Sequence, residues 1–566
     1  MNVLEIVLFI SAVIGVIALG IWKSRDEETD GEKGASDYFL AGRGLTWWLV
    51  GFSLIAANIS TEQFVGMSGG AADRQGLAIA AWEWIAAITL VVVAFWFLPR
   101  FLKCGLYTIP EFLEYRYDGV ARLAMSIPAV ITLVLVNTST VIFSGAKFVS
   151  EYYNDVPILS SLPAMCWAIA ILAAVYVFIG GLKACAWTDL IWGAALIVGG
   201  IIVSVMAFHY LAEKPAEELI ESKVANSNAT VEDLENAGPW ERFVLLNDGV
   251  DGEGVAIVGV NGAGGKLHMI RPANDPDMPW TALLLGIWIP NFFYWGLNQF
   301  IVQRTLGAKS LAEGQKGIVF AAFLKLLIPF LVVIPGIICY NLFSGDLLNS
   351  STGEYDYDRA FPVLVRNLIK PIPLISWFVL AALCGAVISS LASMLNSAST
   401  LATIDLYSKV ANDKNQARLV KVGRGMVVGF ALIAALVAPY LDNFRSIFAY
   451  IQEFQGFISP GFLTVFIFGF FSPKTPRSFG KIGIITSVVV YGALLLFAGD
   501  VAFLIRMSIT LIVVVLTGVA LTLFTPLKEP VEMPVNKEID VTSSPFAKMC
   551  GVGVVLLTVV LYLMFW

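Results

Sequence analysis

"SLIAANISTEQF" occupies residues 53–64, inside a run that begins Trp47-Trp48-Leu49-Val50-Gly51-Phe52. The surrounding residues are apolar enough for a membrane interior, yet Asn58, Ser60, Thr61, Glu62 and Gln63 fall almost in succession within them. An ionisable side chain at the centre of a membrane span costs about 2.5–3.5 kcal/mol on insertion scales, so it persists there only with a partner or a use. The stretch predicts a membrane helix interrupted near its middle, with polar groups at the break.

Composition agrees with a membrane setting. The 566-residue chain is 58% hydrophobic and 14% charged, with a mean hydropathy of +0.78. A water-exposed surface of this size needs far more charge. Apolar runs of about 20 residues, the length that crosses a core about 30 Å thick, recur throughout. About fourteen are expected, near 3–22, 46–66, 78–102, 124–150, 157–182, 184–212 and 279–303, then 316–344, 373–408, 420–440, 446–471, 478–499, 502–525 and 547–566. The fold class expected is an all-α polytopic membrane protein.

If these spans alternate from an outside N-terminus, most of the 36 Lys and Arg fall in or beside loops on the inner face. Such an excess sets orientation, so both termini are expected outside in a multi-pass cell-membrane protein. The net charge of −7 says little beyond that. The first span lacks a basic leader and reads as a retained helix. Six dispersed cysteines suggest neither disulfides nor a metal cluster, and two histidines make a histidine relay an unpromising design. No phosphate-cradling glycine motif appears, which argues against an ATP-driven pump. Enzyme activity and nucleic-acid binding are not expected; the partners expected are a small solute, sodium and the lipid bilayer, with oligomeric state left open.

A second polar cluster interrupts the span at 279–303: "NFFYWGLNQF", residues 291–300, brings in Asn291, Tyr294, Gly296, Asn298 and Gln299. If 46–212 and 279–471 are two five-helix units, the interruptions occupy corresponding places, and the odd count makes the second unit enter from the opposite face. Matched breaks in inverted halves point to a transporter binding site, because unwound backbone is tolerable at membrane depth only beside a cavity or ligand. Polar side chains bonding neighbouring helices are the competing explanation. Around these units lie an extra span and inner loop at 1–45, a polar outer loop at 213–278, and extra spans at 472–566 that include a proline-bearing linker over 526–546.

Together with "SLIAANISTEQFVGMSG", the segments Glu83-Trp84, "GGLKACAWTD" at 180–189, "NQFIVQRTLGAKS" at 298–310 and "SSLASMLNSAST" at 389–400 resemble the sodium/solute symporter family. Within it the likeness is greatest to bacterial sodium/glucose-galactose cotransporters and extends over nearly the whole chain, weakest in 213–278 and 343–372. The resemblance implies two inverted five-helix repeats with discontinuous helices at the site, and alternating access that couples sodium to a sugar. Carried over motif by motif, it assigns sodium to the carbonyls of Ala56, Ile59 and Ala386 and the hydroxyls of Ser389 and Ser390. Sugar contacts fall to Asn58, Gln63, Glu83, Asn291, Lys325 and Gln452. Gate residues are Met67 and Phe448 on the outer side, Tyr294 on the inner, and Trp82, for which a lipid-interface anchor is the competing role; Asp189 is a possible ion exit.

The chemistry suits those roles. Sodium is a hard cation that takes oxygen ligands, and amides, a carboxylate and an ammonium can answer hydroxyls that both donate and accept. Departures remain: Trp82 stands where relatives carry Tyr, Ala86 where they carry Ser, Trp192 where they carry Gln, and Lys183 where they carry a small polar residue. Alternatives are a symporter of the same fold for myo-inositol or a sugar acid, or a solute-gated sensor or sodium leak.

Overall fold

A computed structural model describes residues 3–24, 38–221, 229–249, 265–349, 353–444 and 447–566. Among the described residues the regular structure is helical, and strand-like pairing is confined to three isolated bridges. Among the described residues, eleven helices are long and apolar enough to cross a membrane. They match eleven of the fourteen expected spans; Gly76–Cys104 corresponds to 78–102, for example, and Pro545–Met564 to 547–566. Residues 25–37 of the inner loop expected after the first span, and the Gly- and Asp-rich stretch at 250–264, lie outside the described residues.

Of the three other expected spans, one is the 21-residue helix Val3–Lys23. The other two are broken, at the two polar clusters. Trp47–Asn58 ends at Ile59, whose φ of −88° and ψ of 102° are extended, and helix resumes through the π-helical turn Gln63–Met67 into Ser68–Ala72. Trp288–Leu297 ends at Asn298, φ −78° and ψ 121°, before Gln299–Leu306 begins.

Local chemistry explains the first break. Ser60-Thr61-Glu62-Gln63 has the spacing of a helix-starting capping box, in which the fourth side chain reaches back to the first backbone N–H. Here Ser60 N–H donates to Gln63 Oε1 at 3.1 Å. The second break is held from outside its own helix: Gln299 Oε1 accepts from Ile109 N–H at 2.9 Å, and Gln303 Nε2 donates to Phe39 O at 2.6 Å.

Trp47–Asn58 is enclosed by Leu162–Glu213, which kinks at Gly181, by Leu311–Leu347 and by Pro373–Thr400. Close approach depends on small residues, as is usual where both helices would otherwise face lipid. At Gly317 an added Cβ would lie 2.7 Å from Trp47 O, and at Gly385 it would lie 2.2 Å from the Trp192 ring. The long loop has structure of its own in Ala216–Glu221, Val231–Asn236 and Pro239–Asn247. Buried Arg242 donates from this loop to the carbonyls of Leu211, Ala212 and Lys214, satisfying acceptors that a helix C-terminus leaves open.

Candidate functional site

The two broken helices meet at a small cavity lined by polar and aromatic side chains. Asn58 reaches it from the end of one broken helix, Glu62 and Gln63 from the turn after the break, and Asn291, Tyr294 and Trp295 from the other broken helix. Trp82 and Glu83 come from Gly76–Cys104, Lys325 from Leu311–Leu347, and Phe448, Ile451, Gln452 and Gln455 from Ile447–Phe471. Asn137 and Pro290 complete the lining.

All six residues expected to contact solute, Asn58, Gln63, Glu83, Asn291, Lys325 and Gln452, therefore line one cavity, with three of the four gate residues, Trp82, Tyr294 and Phe448. Met67 is fully buried and stands outside that lining. Sequence reasoning passed over Glu62, Asn137, Trp295 and Gln455 as site residues. Two signals were available: Glu62 lies in the opening polar stretch, and Gln455 is three residues after Gln452, on the same helix face.

The polar groups form a chain. Lys325 Nζ donates both to Glu83 Oε2 and to Asn58 Oδ1 and lies 4.9 Å from the Trp295 ring centroid. Asn58 Nδ2 donates to the Tyr294 hydroxyl at 2.9 Å. One amide thus links the cavity's ammonium to the aromatic on the opposite broken helix. Asn291 Nδ2 is turned to its own helix, donating to Ile287 O at 2.9 Å. Trp82 packs edge-on to Phe448 with ring centroids 5.3 Å apart and stacks on Phe503 at 6.2 Å. Three cavity oxygens, Glu62 Oε2, Asn137 Oδ1 and Gln452 Oε1, are buried without a hydrogen-bond partner among the described residues, an arrangement that calls for a ligand or water.

The residues carried over for sodium lie on the other side of the first break. Ser390 Oγ donates to Ala56 O at 3.1 Å; Ile59 is the extended residue itself, and Ala386 is buried one turn before Ser390. Ser389 Oγ instead donates to Asp189 Oδ1. Asp189 is wholly buried. Its Oδ2 accepts from Ser53 Oγ and, at 3.4 Å, from Arg304 Nη2. Arg304 also donates to Ser53 O at 3.1 Å and to Ser393 Oγ. An ion pair this deep is tolerable because its remaining hydrogen-bonding capacity is so fully used. The Ser390 hydroxyl and the Ala56 carbonyl are oxygens of the kind a hard monovalent cation takes.

Comparison with known proteins places the chain by family and by fold. A model of the sodium:solute symporter family matches residues 38–486. The sodium/glucose cotransporter of Vibrio parahaemolyticus is 37% identical over an alignment covering 100% of this chain and 99% of that protein. Sodium/glucose cotransporter 1 of Mus musculus is 28% identical, covering 86% of this chain and 71% of its own. In fold, the chain is similar to a sodium-coupled sialic acid symporter solved in a substrate-bound outward-open state, with a TM-score of 0.72, 20% identity, and coverage of 93% of this chain and 99% of that one.

Proposed function

The chain belongs to the sodium:solute symporter family, a multi-pass membrane transporter with sodium as its coupling ion, and on that premise we propose that it imports a neutral sugar of the glucose or galactose type by alternating access. The observation that carries the sugar reading is the cavity lining. Amides, one Lys325–Glu83 pair and the rings of Trp82, Tyr294 and Phe448 surround a space with unanswered acceptors. A pyranose presents hydroxyls around its edge and C–H groups on its faces, which is the complement of that lining. Two carboxylates, Glu62 and Glu83, against one ammonium disfavour a sugar acid.

The architecture we infer has about fourteen spans, with 46–212 and 279–471 as inverted five-helix repeats and both termini outside. Sodium would be held by Ala56, Ile59, Ala386, Ser389 and Ser390, with Asp189 on its exit route. Solute would be held by Asn58, Gln63, Glu83, Asn291, Lys325 and Gln452 between Tyr294 and the outer residues Met67, Trp82 and Phe448. Coupling then has a short path. Ala56 and Ile59 flank Asn58 in sequence, so an ion that fixes the break also fixes the amide that holds Lys325 and Tyr294. One sodium ion moving down a potential of about 100 mV supplies roughly 2.3 kcal/mol for accumulation.

Uptake of radiolabelled glucose and galactose into proteoliposomes tests the reading, with an inward sodium gradient compared against potassium. Accumulation above equilibrium with sodium alone is the expected result. If neither sugar is taken up while myo-inositol or a sugar acid is, the solute assignment falls.

A further inference from the structure

The cavity has more acceptors than the protein satisfies. Glu62 Oε2 and Gln452 Oε1 are buried and have no hydrogen-bond partner among the described residues. Glu62 is only 8% exposed, and both residues line the cavity. An orphaned buried oxygen bears the full cost of its desolvation, and a charged one bears more.

The charges are unequal in the same direction. Lys325 is committed to Glu83 and Asn58, which leaves Glu62 as the cavity carboxylate without a cation bonded to it. Among the described residues no second Lys or Arg lines the cavity. What these two oxygens lack is a pair of donors, and at Glu62 a positively charged donor answers charge and hydrogen bond together. Charge-assisted hydrogen bonds are roughly twice as strong as neutral ones.

We propose that Glu62 is a further solute-binding residue and that the cavity accepts amino sugars: a pyranose bearing a protonated amine, with the ammonium on Glu62 and a hydroxyl on Gln452. This rests on the cavity being a sugar site and adds the charge class of its solute. A neutral hexose makes the same contacts with a hydroxyl in place of the ammonium. A sugar carboxylate brings a second anion to Glu62 and is rejected.

The test uses the full chain in lipid nanodiscs at saturating sodium, with binding read from tryptophan fluorescence, since Trp82 and Trp295 line the cavity. Glucose is compared with amino-deoxy glucoses in which one hydroxyl at a time is replaced by an ammonium. At least one member is expected to bind about tenfold tighter than glucose, and Glu62→Gln is expected to erase that gain. If Glu62→Gln does not fold, the wild-type protein still decides, because the N-acetyl derivative of the tightest member must lose the advantage with its charge. The proposal is overturned if no amino sugar exceeds glucose, if the gain survives Glu62→Gln, or if Glu62→Gln weakens glucose and amino sugars equally together with sodium affinity, which would make Glu62 an ion ligand. Glucose binding without any amine preference removes this proposal alone. Loss of all hexose binding in the wild type removes the sugar reading beneath it.

Discussion

Ser390 Oγ donates to Ala56 O at 3.1 Å, tying the last helical turn before the first break to the long helix Ile375–Val410. The bond joins a hydroxyl to a carbonyl that is also available to a cation, at the edge of the segment that presents Asn58 to the cavity. Ser390→Ala removes the hydroxyl while leaving Asn58 in place. Sodium affinity is expected to fall about tenfold or more, with glucose affinity at saturating sodium changed much less. Sodium titrations of glucose binding check this.

The Lys325–Glu83 pair is nearly fully buried. Removing one partner strands a charge, a loss of about 3–5 kcal/mol in comparable pairs. Lys325→Met and Glu83→Gln are each expected to lower thermal stability markedly. The double variant should recover part of that loss, because neither charge is then left alone. Thermal unfolding in detergent, run as a double-mutant cycle, measures the coupling.

Gly385 has no room for a side chain, since its Cβ would lie 2.2 Å from the Trp192 ring. Gly385→Ala forces the indole or the helix aside, an overpacking cost of about 1–3 kcal/mol. The same change in a Trp192→Ala background should cost less. A thermal-shift comparison of the single and double variants decides whether the ring is the obstacle.

Lys266 lies outside the membrane-spanning helices, wholly buried, with Nζ donating to Ala72 O and to Asp73 O. Burial pushes its pKa down from 10.5 to about 7, with Arg271 lowering it further and Asp73 opposing. The unfolded chain therefore binds more protons than the folded one between about pH 7 and 10.5, so this residue's contribution to stability rises with pH across that window. Lys266→Met should flatten that rise, which thermal melts across the window would show.

Both breaks were legible because polar residues inside an apolar run violate the composition of a span, and a local violation needs no knowledge of the fold. The six expected solute contacts were found through motifs, and the structure brings them to one cavity. Arg304 was not anticipated. Beside Gln303 and Thr305 at the edge of an expected span it reads as an interfacial basic residue, whereas it is fully buried on Asp189, 115 positions away in the chain. Periodicity carries no information about so distant a partner. Met67 was expected as a gate residue from its motif alone; it is buried and lies outside the cavity lining. Glu62 was noticed as an anomaly, yet its missing partner became visible only once the surrounding donors could be counted.

On the proposed reading, the first break couples sodium to solute. The most direct measurement is glucose affinity of the purified protein, read from tryptophan fluorescence, with and without saturating sodium at constant ionic strength. Coupling is reciprocal, so sodium should tighten glucose binding by the factor by which glucose tightens sodium binding, about 5–150-fold for typical couplings. A glucose affinity that is the same with sodium and without it would contradict the account.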